Sequence, residues 1–321
     1  MRLTPRARWG RVGVVSTALV ALTLPLAGTT TAQAAPAPSG IPTQVNVLTW
    51  NICGGSQSSC KETGTAEEKL DRVMQRVNED STLTAIALQE VCSFAHAARL
   101  QERLGEQWVV NFRAAPVMEG EHGELNKCTL KNLPGPKDQP GGVLVAMKKL
   151  PGASITAVDE DFAGVPHAND KDGHPTQGAA CLRDSVNKLL VCSSHFPFDD
   201  ADAKKGTFYD SRSGCAKQYA ALGKQWRARG WRTVLAGDLN LNTRIWTERF
   251  VLRPLYNGGN FEGDRLNRRT VPGAPWIDKK LDYIFFSANN WQRRGAAVDN
   301  SEAISRLSDH YLLKATVRPI R

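Results

Sequence analysis

Seven short, mainly apolar runs set the terms for this chain: Val45–Thr49, Leu83–Leu88, Val143–Met147, Leu189–Cys192, Thr233–Ala236, Tyr283–Phe286 and Tyr311–Val317. Each is too short for a buried helix and rich in β-branched or aromatic residues, so each reads as a strand. Their hydrophobicity is continuous rather than alternating, which implies strands covered on both faces. Helical patterns lie between them. Thr65-Ala66-Glu67-Glu68 is a capping box, followed by Leu70, Val73, Met74 and Val77 at helical spacing. Phe94, Ala97 and Leu104 mark a second helix. Cys215, Tyr219, Leu222 and Trp226 mark a third, with Gly230 at its C-cap. Gly/Pro/Asp-rich stretches at Asn132–Gly142, Gly164–Gly178 and Asn257–Pro275 read as loops. Helices alternate with strands early and strands join more directly later, so the class is mixed α/β, with one domain over 43–321.

The N-terminus has a different character. Arg2, Arg6, Arg8 and Arg11 precede an apolar stretch from Val12 to Leu26, and Ala32-Gln33-Ala34 supplies a small-residue cleavage site. Residues 1–34 thus read as a secretory signal peptide, and 35–42 as an extended linker. A retained membrane anchor is disfavoured because the apolar core is short and broken by Pro25. Removing 1–34 takes away four Arg and no acid, lowering the net charge from +9 to +5. Such a chain suits a phosphate-rich partner. All seven cysteines follow the leader, and outside the cell disulfides are the default. Cys181 with Cys192 across a turn at Val186-Asn187, and Cys53 with Cys60, are the expected pairs; an odd count leaves at least one thiol over.

The chemistry gathers at strand ends. The first run ends in Asn51, the second in Gln89-Glu90, the fourth in His195 and the fifth in Asp238-Leu239-Asn240; Asp282 opens the sixth, and Asp309-His310 the last. Ligand sites of α/β proteins lie at strand ends. Taken singly, each of these residues is an ordinary turn or solvated strand end. Together they offer carboxylates, amides and two histidines, a donor set that suits Mg²⁺ or Mn²⁺ better than Zn²⁺ and points to hydrolysis of a phosphate ester.

At Thr49-Trp50-Asn51, Leu88-Gln89-Glu90, Ser194-His195-Phe196, Gly237-Asp238-Leu239-Asn240, Leu281-Asp282-Tyr283-Ile284 and Ser308-Asp309-His310 the chain resembles the endonuclease/exonuclease/phosphatase family, in the family's order. The resemblance implies a four-layer sandwich, two mixed β-sheets face to face with helices outside, and an active site at one rim. It makes Glu90 the main metal ligand, with Asn51 and Asp309 near the metal. It has Asp238 and Asn240 position water and phosphate, pairs His310 with Asp282, and sets His195 against the phosphate from the other side. His195 also fits the DNase-like, sphingomyelinase-like and inositol-phosphatase-like branches rather than the abasic-site endonucleases.

The resulting expectation is a secreted, Mg²⁺-dependent phosphodiesterase acting on nucleic acid, with no obligate protein partner. Lys279, Lys280 and Arg183 are the expected substrate contacts, with Arg265, Arg268 and Arg269 possible neighbours of the rim. A sphingomyelinase-type enzyme acting on phospholipid, or a phosphatase, is the alternative on the same fold. An inactive binding or toxin subunit is the alternative of another class. His96, His122, His167 and His174, and the acids at Asp170 and Asp172, read as structural or solvated groups, and Cys215 as a buried one.

Overall fold

In the computed structural model all seven runs are strands, and five further strands join them among the described residues. Those residues are 40, 43–55, 60, 63–115, 127–128, 130, 133–163, 177–197, 208–271 and 279–320, so the leader and nearly all of the linker lie outside them. The first half contains β1 (Val45–Asn51), α1 (Ala66–Glu79), β2 (Leu83–Cys92), a π-helical turn (Ser93–Ala98) leading into α2 (Arg99–Leu104), β3 (Trp108–Ala114), β4 (Gly141–Lys148) and β5 (Ile155–Asp161). Then follow β6 (Gly178–Asp184), β7 (Leu189–His195), α3 (Phe208–Ala228), β8 (Arg232–Asp238), α4 (Trp246–Val251) and α5 (Arg253–Asn257). The chain closes with β9 (Asn260–Glu262), β10 (Asp282–Ser287), β11 (Trp291–Asp299), α6 (Glu302–Ser305) and β12 (Leu312–Pro319).

The strands form two six-stranded sheets, ordered β11-β12-β1-β2-β4-β3 and β5-β6-β7-β8-β10-β9. Both are mixed: β1 runs parallel to β2 and antiparallel to β12, while β8 runs parallel to β7 and antiparallel to β10. Period-2 alternation divides the side chains between layers. Val45 and Val47 enter the core between the sheets with Val191, Val234 and Ile284, whereas Leu48 and Trp50 face the layer holding Leu70, Val73 and Leu100. On the other side, Tyr219 and Trp226 of α3 pack against Cys192, Leu235 and Phe285. The result is helix, sheet, sheet, helix: the four-layer sandwich, with every interior strand covered twice.

The stretch Asn257–Pro275, expected as a loop, contains the end of α5 and the edge strand β9. The expected loop at Gly164–Gly178 lies largely outside the described residues. Cys181 and Cys192 are direct partners across β6 and β7 and are bonded, as are Cys53 with Cys60 and Cys92 with Cys128. Cys215 remains as a buried thiol, pushed up to about 12 by burial and therefore inert.

Candidate active site

The mixed sheets bring the chemistry to one rim. Asn51, Glu90, His195 and Asp238 stand at or near the ends of β1, β2, β7 and β8; Asp282 begins β10 and Asp309-His310 precede β12, strands that run the other way. Two local distortions aim side chains inward. β2 breaks register with β4 between Gln89 and Val91, and Glu90 sits on this bulge with φ 55°. Asn240 has φ 48° just beyond β8. Left-handed backbone at non-glycine residues is unfavourable; six described residues adopt it, Glu90 and Asn240 among them. Gly237 is required by close approach: a Cβ there would fall 1.9 Å from the carbonyl oxygen of Ser194, forcing apart the strands that align His195 with Asp238.

One atom is the centre of the cluster. Asp238 Oδ2 lies 3.1 Å from Asn51 Nδ2, 3.5 Å from His195 Nε2 and 3.4 Å from His310 Nε2. His310 Nδ1 is 2.8 Å from Asp282 Oδ2, and Asp282 is held by Thr270, whose Oγ1 accepts from the Leu281 and Asp282 amides. Burial alone would push His310 down, but the Asp282 and Asp238 carboxylates overcome it and hold the imidazole well above its ordinary value. His310 is thus a buried imidazolium between two carboxylates. His195 differs: its side chain is 21% exposed, and Asn240 Nδ2, which can only donate, faces its Nε2 at 3.1 Å.

Beside this centre stand Glu90 and Asp309. Glu90 Oε1 accepts from Asn51 Nδ2 at 2.9 Å. Burial raises the Glu90 carboxyl, His195 and the Asn51 bond partly offset this, and Asp309 raises it further. Asp309 Oδ1 is buried without a hydrogen-bond partner. Two desolvated carboxylates, one with an orphaned oxygen, are what a hard divalent cation would relieve, and their donor chemistry fits Mg²⁺ or Mn²⁺. Two other groupings are less suitable. Cys53 and Cys60 near Asp309 are locked in a disulfide, and the Asp238–Asp282–His310 set is already internally paired.

Several sequence expectations need correction. Asn51 does not turn its oxygen to the metal position: Oδ1 accepts from the Cys53 amide at 3.0 Å, so its NH₂ bridges Glu90 and Asp238 instead. Lys280 is fully buried, with Nζ 2.7 Å from Glu262 and 3.2 Å from Asp264, and is not available to a substrate. Arg183 pairs with Leu190 towards the opposite end of the sandwich, bonded to Thr156 and lying over Trp226. Lys279 is exposed at an isolated bridge with Val271, and Arg268 is paired with Asp264.

Other contributors were not among the expected site residues, although Ser308 opens the Ser308-Asp309-His310 string. Ser308 Oγ donates to the Asn51 carbonyl and accepts from the His310 amide, tying β1 to the start of β12. Arg212 of α3 donates to the Asn240 carbonyl. Lys69 of α1 is buried, donates to the Cys53 carbonyl at 2.7 Å, and is lowered to about 8 by burial despite the pull of Glu90 and Asp309. Only its position within an apolar helical stripe could have singled it out.

A model of the Endonuclease/Exonuclease/phosphatase family matches residues 48–310. The chain belongs to this family. Its members are generally hydrolytic phosphoesterases. The endonuclease/exonuclease/phosphatase from Beutenbergia cavernae shares the fold with a TM-score of 0.61 at 16% identity, covering 87% of this chain and 72% of that one. The catalytic domain of human Nocturnin, solved with a bound sulfate anion, gives 0.58 at 14%, covering 87% and 95%. The family member from Bacteroides vulgatus gives 0.56 at 14%, covering 87% and 100%. At these identities the likeness establishes the fold alone. No curated protein matches the chain by sequence.

Proposed function

We propose that the protein is a secreted, divalent-metal-dependent phosphodiesterase that cleaves nucleic acid. The observation that carries this reading is the convergence of Asn51 and two imidazoles on one oxygen of Asp238, beside two desolvated carboxylates. Glu90 and Asp309 would hold Mg²⁺ or Mn²⁺, which when bound supplies a Lewis acid for the phosphoryl oxygens. Asn51 keeps Glu90 and Asp238 at fixed separation. Asp238 and Asn240 orient the attacking water, and His195 Nε2 takes its proton. As the water oxygen bonds to phosphorus and the ester P–O bond breaks, the His310 imidazolium donates to the departing oxygen, with Asp282 fixing the ring. The three disulfides and the leader-like N-terminus support secretion, and no helix among the described residues is long and apolar enough to cross a membrane.

A lipid phosphodiesterase is the second reading, favoured by the exposed Ile245, Trp246 and Phe250 beyond β8. Purified protein with Mg²⁺, assayed in parallel on plasmid DNA, RNA, sphingomyelin liposomes and inositol phosphates, separates the two. Cleavage of DNA or RNA that EDTA abolishes is expected. Turnover of liposomes with nucleic acid left intact would replace the nuclease by the lipid enzyme.

A further inference from the structure

The face that carries uncompensated positive charge is not the catalytic rim. Where β1 begins and β12 ends, a hollow of about 1320 Å³ is lined by Arg232, Arg293, Arg294 and Arg318. This is larger than most small-molecule pockets, which span ~300–1,000 Å³, and suits a length of chain better than a metabolite. A second hollow of about 660 Å³ adjoins it, sharing Phe261 and Arg293, and follows the β9 edge towards Thr243 and Asn267. Arg249, Arg253 and Arg265 line that groove, with Trp246 and Phe250 in its wall.

None of these seven arginines pairs with a carboxylate among the described residues. Their recorded partners are neutral: Arg232 donates to the Asn187 carbonyl, Arg293 to the Glu262 carbonyl and Arg318 to the Gln292 amide, while Arg253 lies over Phe250. Elsewhere the same chain pairs its arginines closely, as in Arg72–Asp299, Arg99–Glu67 and Arg103–Asp71. The two acids that line the groove, Glu262 and Asp264, are already matched by Lys280 and Arg268. Exposure singles out the same region: Trp246 is 71% exposed, stands edge-on to Phe250, and follows the exposed Ile245 in the chain.

We infer that these two hollows form one track that binds single-stranded nucleic acid leaving the catalytic rim. The inference rests on the nuclease reading. Seven guanidiniums without counter-charges call for a polyanion, and flat aromatic faces among them call for unpaired bases that can stack. The geometry fits a strand that enters beside Asn242 and Thr243 and runs down the sheet edge. Six residue steps along β8 separate Asp238 at the rim from Arg232 at the base, a span of about 20 Å at ~3.3 Å per residue.

The test uses the full mature chain and a triple variant, Arg253→Gln/Arg294→Gln/Arg318→Gln, at three exposed positions outside the catalytic cluster. Binding of a fluorescein-labelled single-stranded DNA oligonucleotide is measured by anisotropy in EDTA, where no cleavage intervenes. The triple variant should bind at least about tenfold more weakly, with a log–log salt slope shallower by about 2, since each single-strand phosphate contact contributes ~0.7. Hydrolysis of bis(p-nitrophenyl) phosphate with Mn²⁺ should stay within about twofold of wild type. Trp246→Ala should weaken the oligonucleotide several-fold and a duplex of equal length hardly at all.

Oligonucleotide affinity and salt slope unchanged in the triple variant would overturn the track. So would loss of binding to anionic phosphatidylglycerol vesicles with oligonucleotide affinity intact, which would assign the surface to lipid. Arginine-dependent binding without cleavage in Mg²⁺ would leave the track standing and remove the nuclease reading. Cleavage with arginine-independent binding would do the reverse.

Discussion

The two ends of the sandwich solve opposite electrostatic problems. At the rim, Asp238, Asp282, Glu90 and Asp309 crowd together; Asp238 and Asp282 are answered inside the fold by His310 and Asn51, while Asp309 keeps one buried oxygen without a partner beside Glu90. At the base, arginines crowd together and no carboxylate among the described residues pairs with them. Strand β11 shows both conditions along its length: Arg293 and Arg294 at its start have no acid partner among the described residues, while Asp299 at its end is held by Arg72 and Arg76. Internal pairing orients catalytic groups before any substrate arrives. Unpaired charge is left where the counter-charge must come from outside. Distance from the reacting atoms therefore says little about which cations meet the substrate.

The sharpest way to break this contrast is Lys280, which sequence placed among the substrate contacts and the fold places in a buried pairing with Glu262 and Asp264. Lys280→Met should cost about 3–5 kcal/mol in denaturant unfolding, because it leaves buried Glu262 without its cation and Asp264 with Arg268 alone. Activity per folded molecule should change little. A normal unfolding midpoint with a large rise in KM would put this lysine back on the substrate and blur the division between the ends.

Next in size is Glu90. Its carboxylate is desolvated and lies near Asp309, so it suits a cation and disfavours the empty site. Glu90→Gln should lower kcat/KM at least about a hundredfold, roughly 2.7 kcal/mol, and weaken Mn²⁺ binding by calorimetry. The metal-free variant should melt higher than wild type, since a penalised charge is gone. A variant that bound Mn²⁺ normally would sink the ligand assignment. His310→Ala should reduce kcat by about a hundredfold and Asp282→Asn by somewhat less. The double variant should resemble the worse single one, because the pair acts as a unit; full additivity would separate them.

What could be read without the structure follows the same physics. The seven runs visible in the sequence are interior strands, covered on both faces and therefore uniformly apolar. The four edge strands, β3, β5, β9 and β11, were not legible: each has one open side and admits polar residues, as in Ile155–Asp161 with its alternating exposure. At the rim, residues that close a strand in a short string could be found, since Asn51, Glu90, His195, Asp238, Asp282 and His310 all stand at such ends. Thr270, Arg212 and Lys69 could not, because they act from loops and helices through hydrogen bonds that no short string marks, and Ser308 was visible only as the first residue of Ser308-Asp309-His310. Nor could sequence tell a paired cation from an unpaired one. Lys279-Lys280 resembled a substrate patch on paper, and only the position of Glu262 and Asp264 shows that the second lysine is taken.

The smallest expected effect lies in the compensated end of β11. Burial would push Asp299 up, but hydrogen bonds from Ser301 and the Arg76 and Arg72 guanidiniums bring it down to about 2. A drop of this size from an ordinary aspartate corresponds to roughly 2 kcal/mol, and partial exposure of the arginines reduces it to about 1 kcal/mol. Because the folded value lies below the unfolded one, this contribution is complete above the unfolded value, about pH 4, and is lost as pH falls towards 2. Asp299→Asn should therefore lower the urea-unfolding free energy at pH 7, and the difference from wild type should shrink steadily between pH 4 and 2. Arg294→Gln at the other end of the strand removes a cation with no acid partner among the described residues, so it should leave stability unchanged or slightly raised at both pH values. A difference for Asp299→Asn as large at pH 2 as at pH 7 would mean that its carboxylate is not the group Arg72 and Arg76 are holding, and β11 would lose its compensated end.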